Sequence, residues 1–360
     1  MSRHYLNCVK ELKVLLKKHE KDGWEKLLVD SITEAKALAV AAKVPMHELL
    51  PGDLDGYFKF LHHMVHWIPR EDVPREVFYM LCSFYWLIDQ PPGRKLQTFP
   101  EFNQWMHDFA RDWGSFLNTT DSAKGIQTFL DDPDFHPDEY MHNPSGWLTF
   151  NQFFAREVKP GLRPVIGITN DDIITSPADS TFKEKFPIDD RDEITVKHTH
   201  RYKILDLLEG SPYRDRFAGG LFMHSFLGPN DYHRFRAPVR GTVLECRAIT
   251  GRVYLDVQIQ DGDWSAPDGA GYEFTQERGL IIQDSPVGLV ATLPIGMAQV
   301  SSVNMTAVVG AYLNKGEEFG YFMFGGSDII MLFEADSGVE ITAAPGIHYN
   351  CGMGVGEVIY

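Results

Sequence analysis

The strongest constraint on the fold is a change in the spacing of apolar residues along the chain. Up to about residue 118 they recur at helical intervals, as in Phe58, Leu61, Met64 and Val65. From about residue 165 onward the chain consists of short β-branched runs bounded by glycine, such as GTVLECRAI and GLVATLPI. The pattern predicts an α+β protein with a helical N-terminal domain over 1–145 and a mostly antiparallel, β-rich domain over 146–360.

Charge and cysteine content exclude several classes of function. The formal net charge of −16 repels nucleic-acid backbones and anionic lipid surfaces, so we expect no nucleic-acid partner. The four cysteines form no CxxC pair, and the longest apolar run, VFYMLCSFYWLI, is shorter than the roughly 20 residues of a membrane span. We therefore expect a cytoplasmic protein without disulfides.

A serine that follows two glycines is the most informative chemical motif. In KGEEFGYFMFGGSDIIMLFE, Gly325 and Gly326 precede Ser327 between two strand-like runs. An ordinary tight turn is one interpretation. In the other, the glycines let the Gly326 carbonyl strain toward the Ser327 hydroxyl. Attack there turns the amide into an ester, and elimination followed by hydrolysis cuts the chain and leaves a terminal pyruvoyl group derived from Ser327.

Two further segments contain candidates for assisting such a serine. His233, within FLGPNDYHRFRAPVRGTV, has a side chain whose usual pKa suits general base chemistry near neutral pH. Asp179, within SPADS, would hold an imidazole in one tautomer, as the acid of a Ser-His-Asp set does. Each residue also fits a purely structural role, the histidine in a loop and the aspartate in a turn.

Metal binding is not indicated by the sequence. His62 and His66 are spaced as on one helix face, but no HExxH pattern accompanies them. The stretch DGDWSAPDGAGYE resembles a calcium loop only superficially, because Ala266 and Tyr272 stand where glycine and glutamate are required. We expect an ordinary surface loop there, and neither a metal nor pyridoxal phosphate as cofactor.

Together, SPADS, DYHRFRAPVRGTV and KGEEFGYFMFGGSDIIMLFE resemble the three signature blocks of the phosphatidylserine decarboxylase family, in the same order. The similarity runs over about 147–360 and opens with GWLTFNQFFAREVKPGLRPV. The helical N-terminal part, with the phrase RDWGSFLNTTDS, resembles the extra domain of a soluble branch that includes fungal L-tryptophan decarboxylases.

The resemblance implies a catalytic domain of this family's type and a role for each motif residue. Ser327 becomes the pyruvoyl precursor, Asp179 the acid of the processing triad, and His233, beside Tyr232, a histidine of the active site. The chain departs from the family pattern at Arg236, where a second histidine, held to be the processing base, usually stands. A guanidinium stays protonated and cannot act as that base.

For the substrate we favour a free L-amino acid, with aromatic ones such as tryptophan among the options, because the sequence lacks a membrane span and carries a large negative charge. Phosphatidylserine, which would yield phosphatidylethanolamine, is the alternative. The expected partners are this small molecule and the two cleaved chains themselves, which stay associated; a homodimer is a further option. Arg236 also permits an unprocessed, non-catalytic homologue that acts as a binding protein.

Overall fold

The computed structural model describes residues 7–196, 200–266, 270–296, 303–324 and 327–360. Its residues group into two compact units. The first comprises 1–133, 147–153 and 253–268, and the second comprises 134–146, 154–252 and 269–360. The α+β class that the periodicity predicts is confirmed by the helices and the extensive antiparallel sheets.

Helices dominate the first part of the chain, where apolar side chains recur at helical spacing. Trp24, Leu28 and Ile32 are all buried along one face of the second helix. Proline opens two further helices at their first residues, Pro91 and Pro100. The described helices are α1 (Asn7–Lys18), α2 (Trp24–Ala42), α3 (Leu54–Val65), α4 (Glu76–Trp86), α5 (Pro91–Gln97), α6 (Pro100–Phe116), α7 (Ile126–Leu130), α8 (Phe150–Phe154) and α9 (Ile204–Leu207).

Strands follow from residue 140 onward. They are β1 (Tyr140–Met141), β2 (Glu157–Val158), β3 (Ile173–Thr175), β4 (Ser180–Pro187), β5 (Glu193–Val196), β6 (His200–Lys203), β7 (Leu221–Leu227), β8 (Arg234–Arg236), β9 (Gly241–Ile249), β10 (Gln258–Gln260), β11 (Asp263–Ser265), β12 (Arg278–Ser285), β13 (Gly288–Gly296), β14 (Val303–Met305), β15 (Tyr312–Leu313), β16 (Glu318–Phe322), β17 (Ser327–Phe333), β18 (Val339–Ile341), β19 (His348–Tyr349) and β20 (Gly354–Val358).

The second unit is built around an antiparallel sheet of eight described strands, in the order β15-β9-β12-β13-β17-β7-β4-β19. Two three-stranded sheets, β14-β16-β8 and β18-β20-β3, accompany it. The central strand β17 pairs with β13 on one side and with β7 on the other. Every residue of β17 is buried, which explains why SDIIMLF is an almost continuous apolar run rather than an alternating one.

Side chains of β17 enter two different apolar cores, one on each face of the sheet. Ile330 and Leu332 join one cluster, and Met331 and Phe333 join the other. Since successive side chains on a strand point to opposite faces, Ser327 lies on the face of Met331 and Asp328 on the face of Ile330. The first two residues of this strand therefore face different surroundings.

The described part of the chain contains no helix with both the length and the hydropathy needed to cross a membrane. All four cysteines, Cys8, Cys82, Cys246 and Cys351, are free thiols.

Leu332→Ala should destabilise the second unit strongly. Leu332 is fully buried and faces Ala291 and Phe222 on the neighbouring strands. Removing a buried leucine side chain costs about 2–5 kcal/mol of unfolding free energy. Urea unfolding followed by circular dichroism should show that loss. The matched control is Leu162→Ala, because Leu162 is 41% exposed and should change stability by less than about 1 kcal/mol. Equal losses in the two variants would contradict the assigned position of β17.

Candidate active site

Ser327, the predicted nucleophile, is the first residue of β17. Its backbone lies between Gly296, the last residue of β13, and Leu227, the last residue of β7. The side chain is fully buried, and its hydroxyl has no hydrogen-bond partner among the described residues. Gly325 and Gly326 fall outside the described residues. Other buried hydroxyls, such as those of Ser83 and Thr292, also lack a described partner, so it is the position of Ser327 directly after Gly326 that distinguishes it as a candidate nucleophile.

His233 lies in the loop between β7 and β8 and is also fully buried. Its ring packs against Phe154, with 4.0 Å between ring centroids and a tilt of 34°, and its backbone carbonyl accepts a hydrogen bond from the Phe322 amide. Within the described structure neither ring nitrogen has a hydrogen-bond partner. Burial, aided by the nearby Arg156 guanidinium, lowers the pKa of His233 well below its usual value. The imidazole is therefore neutral at physiological pH.

Phe154 connects His233 to the segment that leads to the serine. The Phe154 ring also meets Phe324 edge to face, with 5.2 Å between centroids. Phe324 stands three residues before Ser327. The His233 ring and Phe324 therefore both contact Phe154, and no hydrogen bond joins the side chains of His233 and Ser327.

Asp179 has a different set of partners. Its carboxylate accepts hydrogen bonds from Nε of Arg163 at 2.8 and 3.0 Å, and Nη2 of Arg163 lies 2.7 Å from Oδ2. The backbone amide of Cys351 donates a further bond at 2.7 Å. Both charged side chains are largely buried. Since both ring nitrogens of His233 lack partners among the described residues, no described bond connects Asp179 to His233.

A polar cavity of about 260 Å³ adjoins Asp179. Within it, Nε2 of His348 lies 2.9 Å from Oδ1 of Asp231, the aspartate of the DYHR motif. That contact raises the pKa of His348 above its usual value. The cavity is lined mainly by charged and polar side chains: Asp134, His136, Glu139, Tyr140, Arg163, Asp179, Asn230, Asp231, His348 and Asn350.

Arg156 and Arg163 are residues that the sequence analysis did not single out. Arg156 is buried, and its Nη2 donates to the carbonyl oxygens of Asn230 at 2.8 Å and Asp231 at 3.1 Å. It therefore fixes the loop that carries His233. Both arginines lie in the opening segment of the family resemblance, FFAREVKPGLRPV. For Arg156, the sequence feature that could have indicated burial is its position directly after the apolar FFA run.

Arg236, which occupies the position of the usual second histidine, is the last residue of β8. Its Nη2 donates to the hydroxyl of Tyr232 at 3.4 Å, and its guanidinium is 5.7 Å from the centre of that ring. Its backbone amide donates to the Pro177 carbonyl, two residues before Asp179, at 2.8 Å. The structure thus places the backbone of Arg236 beside the SPADS turn and its side chain against Tyr232.

A second polar cluster lies on the opposite face of β17. Nε2 of His224 is 3.2 Å from Oε1 of Glu273 and 3.4 Å from Oδ1 of Asp328, and all three residues are fully buried. Burial alone would lower the pKa of His224, but the two carboxylates outweigh it and raise that pKa to about 9. Glu273 ends the DGDWSAPDGAGYE stretch, so the expectation of an ordinary surface loop is wrong for that end of the segment.

Comparison with known proteins gives a consistent family. The model of the phosphatidylserine decarboxylase family matches residues 150–357. The chain is 34% identical over 228 residues to phosphatidylserine decarboxylase proenzyme 2 of Oryza sativa subsp. japonica, covering 62% of this chain and 36% of that protein. It is 35% identical over 214 residues to proenzyme 3 of Schizosaccharomyces pombe, covering 59% of this chain and 22% of that protein. The chain therefore spans about a third or less of the length of these two relatives.

A third relative is closer in size. Decarboxylase iboD of Amanita muscaria is 29% identical over 303 residues, which cover 72% of this chain and 85% of that protein.

Arg163→Gln should destabilise the protein much more than the loss of a surface ion pair. The change leaves the buried Asp179 carboxylate without its cation, which costs about 3–5 kcal/mol of unfolding free energy. Arg240→Gln is the control, because the Arg240–Asp171 pair is partly exposed and should contribute about 1 kcal/mol or less. Urea denaturation measures both variants. A loss below about 1 kcal/mol for Arg163→Gln would show that Asp179 does not depend on this pair.

Proposed function

Because this chain belongs to the phosphatidylserine decarboxylase family, whose members are pyruvoyl-dependent decarboxylases, we propose that it cuts itself between Gly326 and Ser327 and then decarboxylates an amine-bearing acid. The observation that carries the proposal is the buried, unpartnered hydroxyl of Ser327 at the start of the central strand. It stands directly after Gly326, as self-cleavage through an ester requires.

The first step is an acyl shift at the Gly326–Ser327 bond. The Ser327 oxygen attacks the Gly326 carbonyl carbon, the bond from that carbon to the Ser327 nitrogen breaks, and an ester forms. Removal of the Ser327 α-proton then expels the Gly326 carboxylate and leaves a dehydroalanine. Addition of water with release of ammonia gives a pyruvoyl group at residue 327. No outside oxidant or reductant is needed.

His233 is our candidate for the base that takes the hydroxyl proton. Its imidazole is neutral at physiological pH, so it can accept a proton without first losing one. The apolar contact with Phe154 keeps water away from the ring. Arg156 fixes the loop that carries it, through the carbonyl oxygens of Asn230 and Asp231.

For Asp179 the contacts favour a positioning role. The Arg163 guanidinium and the Cys351 amide occupy the oxygens of its carboxylate. To act as the acid of a Ser-His-Asp set, as the resemblance implies, Asp179 would have to exchange Arg163 for His233. In our proposal it instead holds the SPADS turn to the Cys351 amide.

A pyruvoyl group supplies the electron sink for the pair of electrons freed when carbon dioxide leaves an amine-bearing acid. The protein then has to return a proton to the carbon that lost the carboxylate. His233 is our candidate for this donor as well, after it has taken up a proton. In the proposal Arg236 binds the substrate carboxylate, a role suited to a fixed, planar cation.

We favour a free L-amino acid as substrate. The net charge of −16 disfavours an anionic membrane surface, and the cavity beside Asp179 is lined by polar side chains rather than by an apolar surface for acyl chains. The Amanita relative, similar over most of its length, carries the name of a decarboxylase without mention of a lipid. Phosphatidylserine is the second candidate, because other relatives carry its name.

Purified protein should contain a C-terminal chain of 34 residues, 327–360, whose N-terminus is a pyruvoyl group. Intact-mass analysis under denaturing conditions should find it together with the chain 1–326, and both should elute as one species without denaturant. Ser327→Ala should remain a single chain and release no carbon dioxide, because alanine has no hydroxyl to start the acyl shift. An active wild-type protein that is found only at full length would contradict self-cleavage and favour the non-catalytic binding protein.

His233→Ala should slow self-cleavage by about 100-fold or more, because the neutral imidazole is the proposed base. The wild-type cleavage rate should be flat between pH 6 and 8. Because the pKa of His233 is lowered, its base form is lost only when the pH falls well below the usual histidine range.

Arg236→His should cleave at the wild-type rate or faster but decarboxylate more slowly.

Time courses of chain cleavage after cell-free synthesis measure each variant. If His233→Ala cleaves at the wild-type rate and Asp179→Asn does not cleave, Asp179 is the base and the role proposed for His233 in processing is wrong.

Carbon dioxide should be released from a free amino acid in buffer without detergent or vesicles. A panel of L-amino acids, tryptophan included, and phosphatidylserine vesicles should be compared with the same cleaved protein. Ser327→Ala serves as the blank. Release from the vesicles alone would favour the lipid reaction.

A further inference from the structure

Three side chains with metal-binding atoms meet on one face of the central sheet. His224 comes from β7, Asp328 from β17, and Glu273 from the short turn Tyr272–Phe274. One nitrogen or oxygen of each lies within 4.8 Å of those of the other two, and all three residues are fully buried. His224 pairs with Ile330 on the neighbouring strand, and Asp328 lies two residues before Ile330. Because side chains two residues apart on a strand share a face, His224 and Asp328 lie on the same face of the sheet.

The distances fit a metal coordination shell. Nε2 of His224 is 3.2 Å from Oε1 of Glu273 and 3.4 Å from Oδ1 of Asp328. In a tetrahedral zinc site with bonds of about 2.0–2.1 Å, neighbouring ligand atoms are about 3.3–3.4 Å apart. Nε2 of His224 and Oε1 of Glu273 form no hydrogen bond of good geometry among the described residues, so their 3.2 Å contact is an ion pair whose atoms are also available to a metal.

The remaining carboxylate oxygens are held by other groups. The Tyr272 hydroxyl donates to Oδ2 of Asp328, and the Gly271 amide donates to Oε2 of Glu273. These bonds turn the other oxygen of each carboxylate toward His224. Outer contacts that orient ligating carboxylates in this way are typical of protein metal sites.

Charge balance also favours a cation. When ionised, the two fully buried carboxylates carry two negative charges, and Glu184 lies opposite His224 in the strand register. Buried charge is costly unless it is compensated. A protonated His224 would offset one of the two central charges, whereas a divalent ion beside a neutral imidazole offsets both.

We propose that His224, Glu273 and Asp328 bind one zinc ion, with water as the fourth ligand. One imidazole and two carboxylates suit zinc in tetrahedral geometry. Calcium and magnesium prefer six or more oxygen ligands and seldom use histidine.

The site would also join the two chains, an inference that rests on the proposed cleavage. His224 and Glu273 belong to the long chain 1–326, and Asp328 belongs to the short chain, directly after Ser327. Zinc would therefore anchor the short chain at the residue next to its pyruvoyl group. Zinc binding itself does not depend on cleavage, so Ser327→Ala should bind the same amount of zinc as the wild type.

Elemental analysis by mass spectrometry tests the site. Wild-type protein from zinc-supplemented medium should carry about one zinc per complete protein, that is, per pair of cleaved chains. Glu273→Gln and Asp328→Asn should each weaken zinc binding at least about tenfold. Asp89→Asn is the matched control, since Asp89 is a buried carboxylate of the other unit and should leave zinc content unchanged. Full zinc content in Glu273→Gln/Asp328→Asn would overturn the proposal.

A second measurement uses the wild-type protein alone, so that it stands even if a variant fails to fold. After treatment with a chelator, added Co²⁺ should give the visible absorption of a tetrahedral site, and added Zn²⁺ should raise the melting temperature while Mg²⁺ does not. Wild-type protein that contains no zinc and responds to neither Co²⁺ nor Zn²⁺ would overturn the proposal and leave a buried imidazolium–carboxylate cluster.

The zinc site and the proposed function can fail separately. If Ser327→Ala binds zinc and the wild type fails to cleave, the proposed function fails but the zinc site stands.

Discussion

The pairing of β17 on both sides is the constraint on which the rest of the catalytic unit depends. Its backbone bonds to β13 and to β7 over the full length of the strand, and its side chains fill two cores. Ser327 is the first residue of this strand, so the proposed cleavage point lies where a rigid element begins. In our account the sheet holds the new terminus at residue 327 in place after cleavage.

The polar residues of the site fall into two electrostatic environments. His233 lies among aromatic rings, where burial keeps its imidazole neutral. Asp179 lies in a charged region, where its carboxylate pairs with the Arg163 guanidinium. Our proposal assigns proton transfer to His233 and positioning to Asp179. It thereby gives a chain with Arg236 in place of the usual second histidine another residue that can act as the base.

Much of the fold could be predicted from the sequence, because local periodicity determines which elements form. The switch from helical spacing to short glycine-bounded runs gave the α+β class, and the apolar run after Ser327 indicated a buried strand. The single boundary near residue 145 stays a prediction. The roles of Ser327, His233 and Asp179 also remain predictions, supported by the family and by their burial.

Contacts between distant segments could not be predicted in this way. Arg163 meets Asp179, and Glu273 meets His224 and Asp328, only because the sheet brings together residues that the sequence separates. No local pattern around Glu273 indicates burial, since its segment is rich in glycine and aspartate, as surface loops are. Such contacts depend on strand order and register, which alternation alone does not specify.

Reductive trapping tests the central claim, that Ser327 becomes the electrophile, most directly. Borohydride added during turnover should fix the substrate covalently to the cleaved protein, and tandem mass spectrometry should locate it at residue 327 of the short chain. Ser327→Ala should trap none. An adduct on a lysine side chain, or an active protein that traps no substrate at residue 327, would contradict the account.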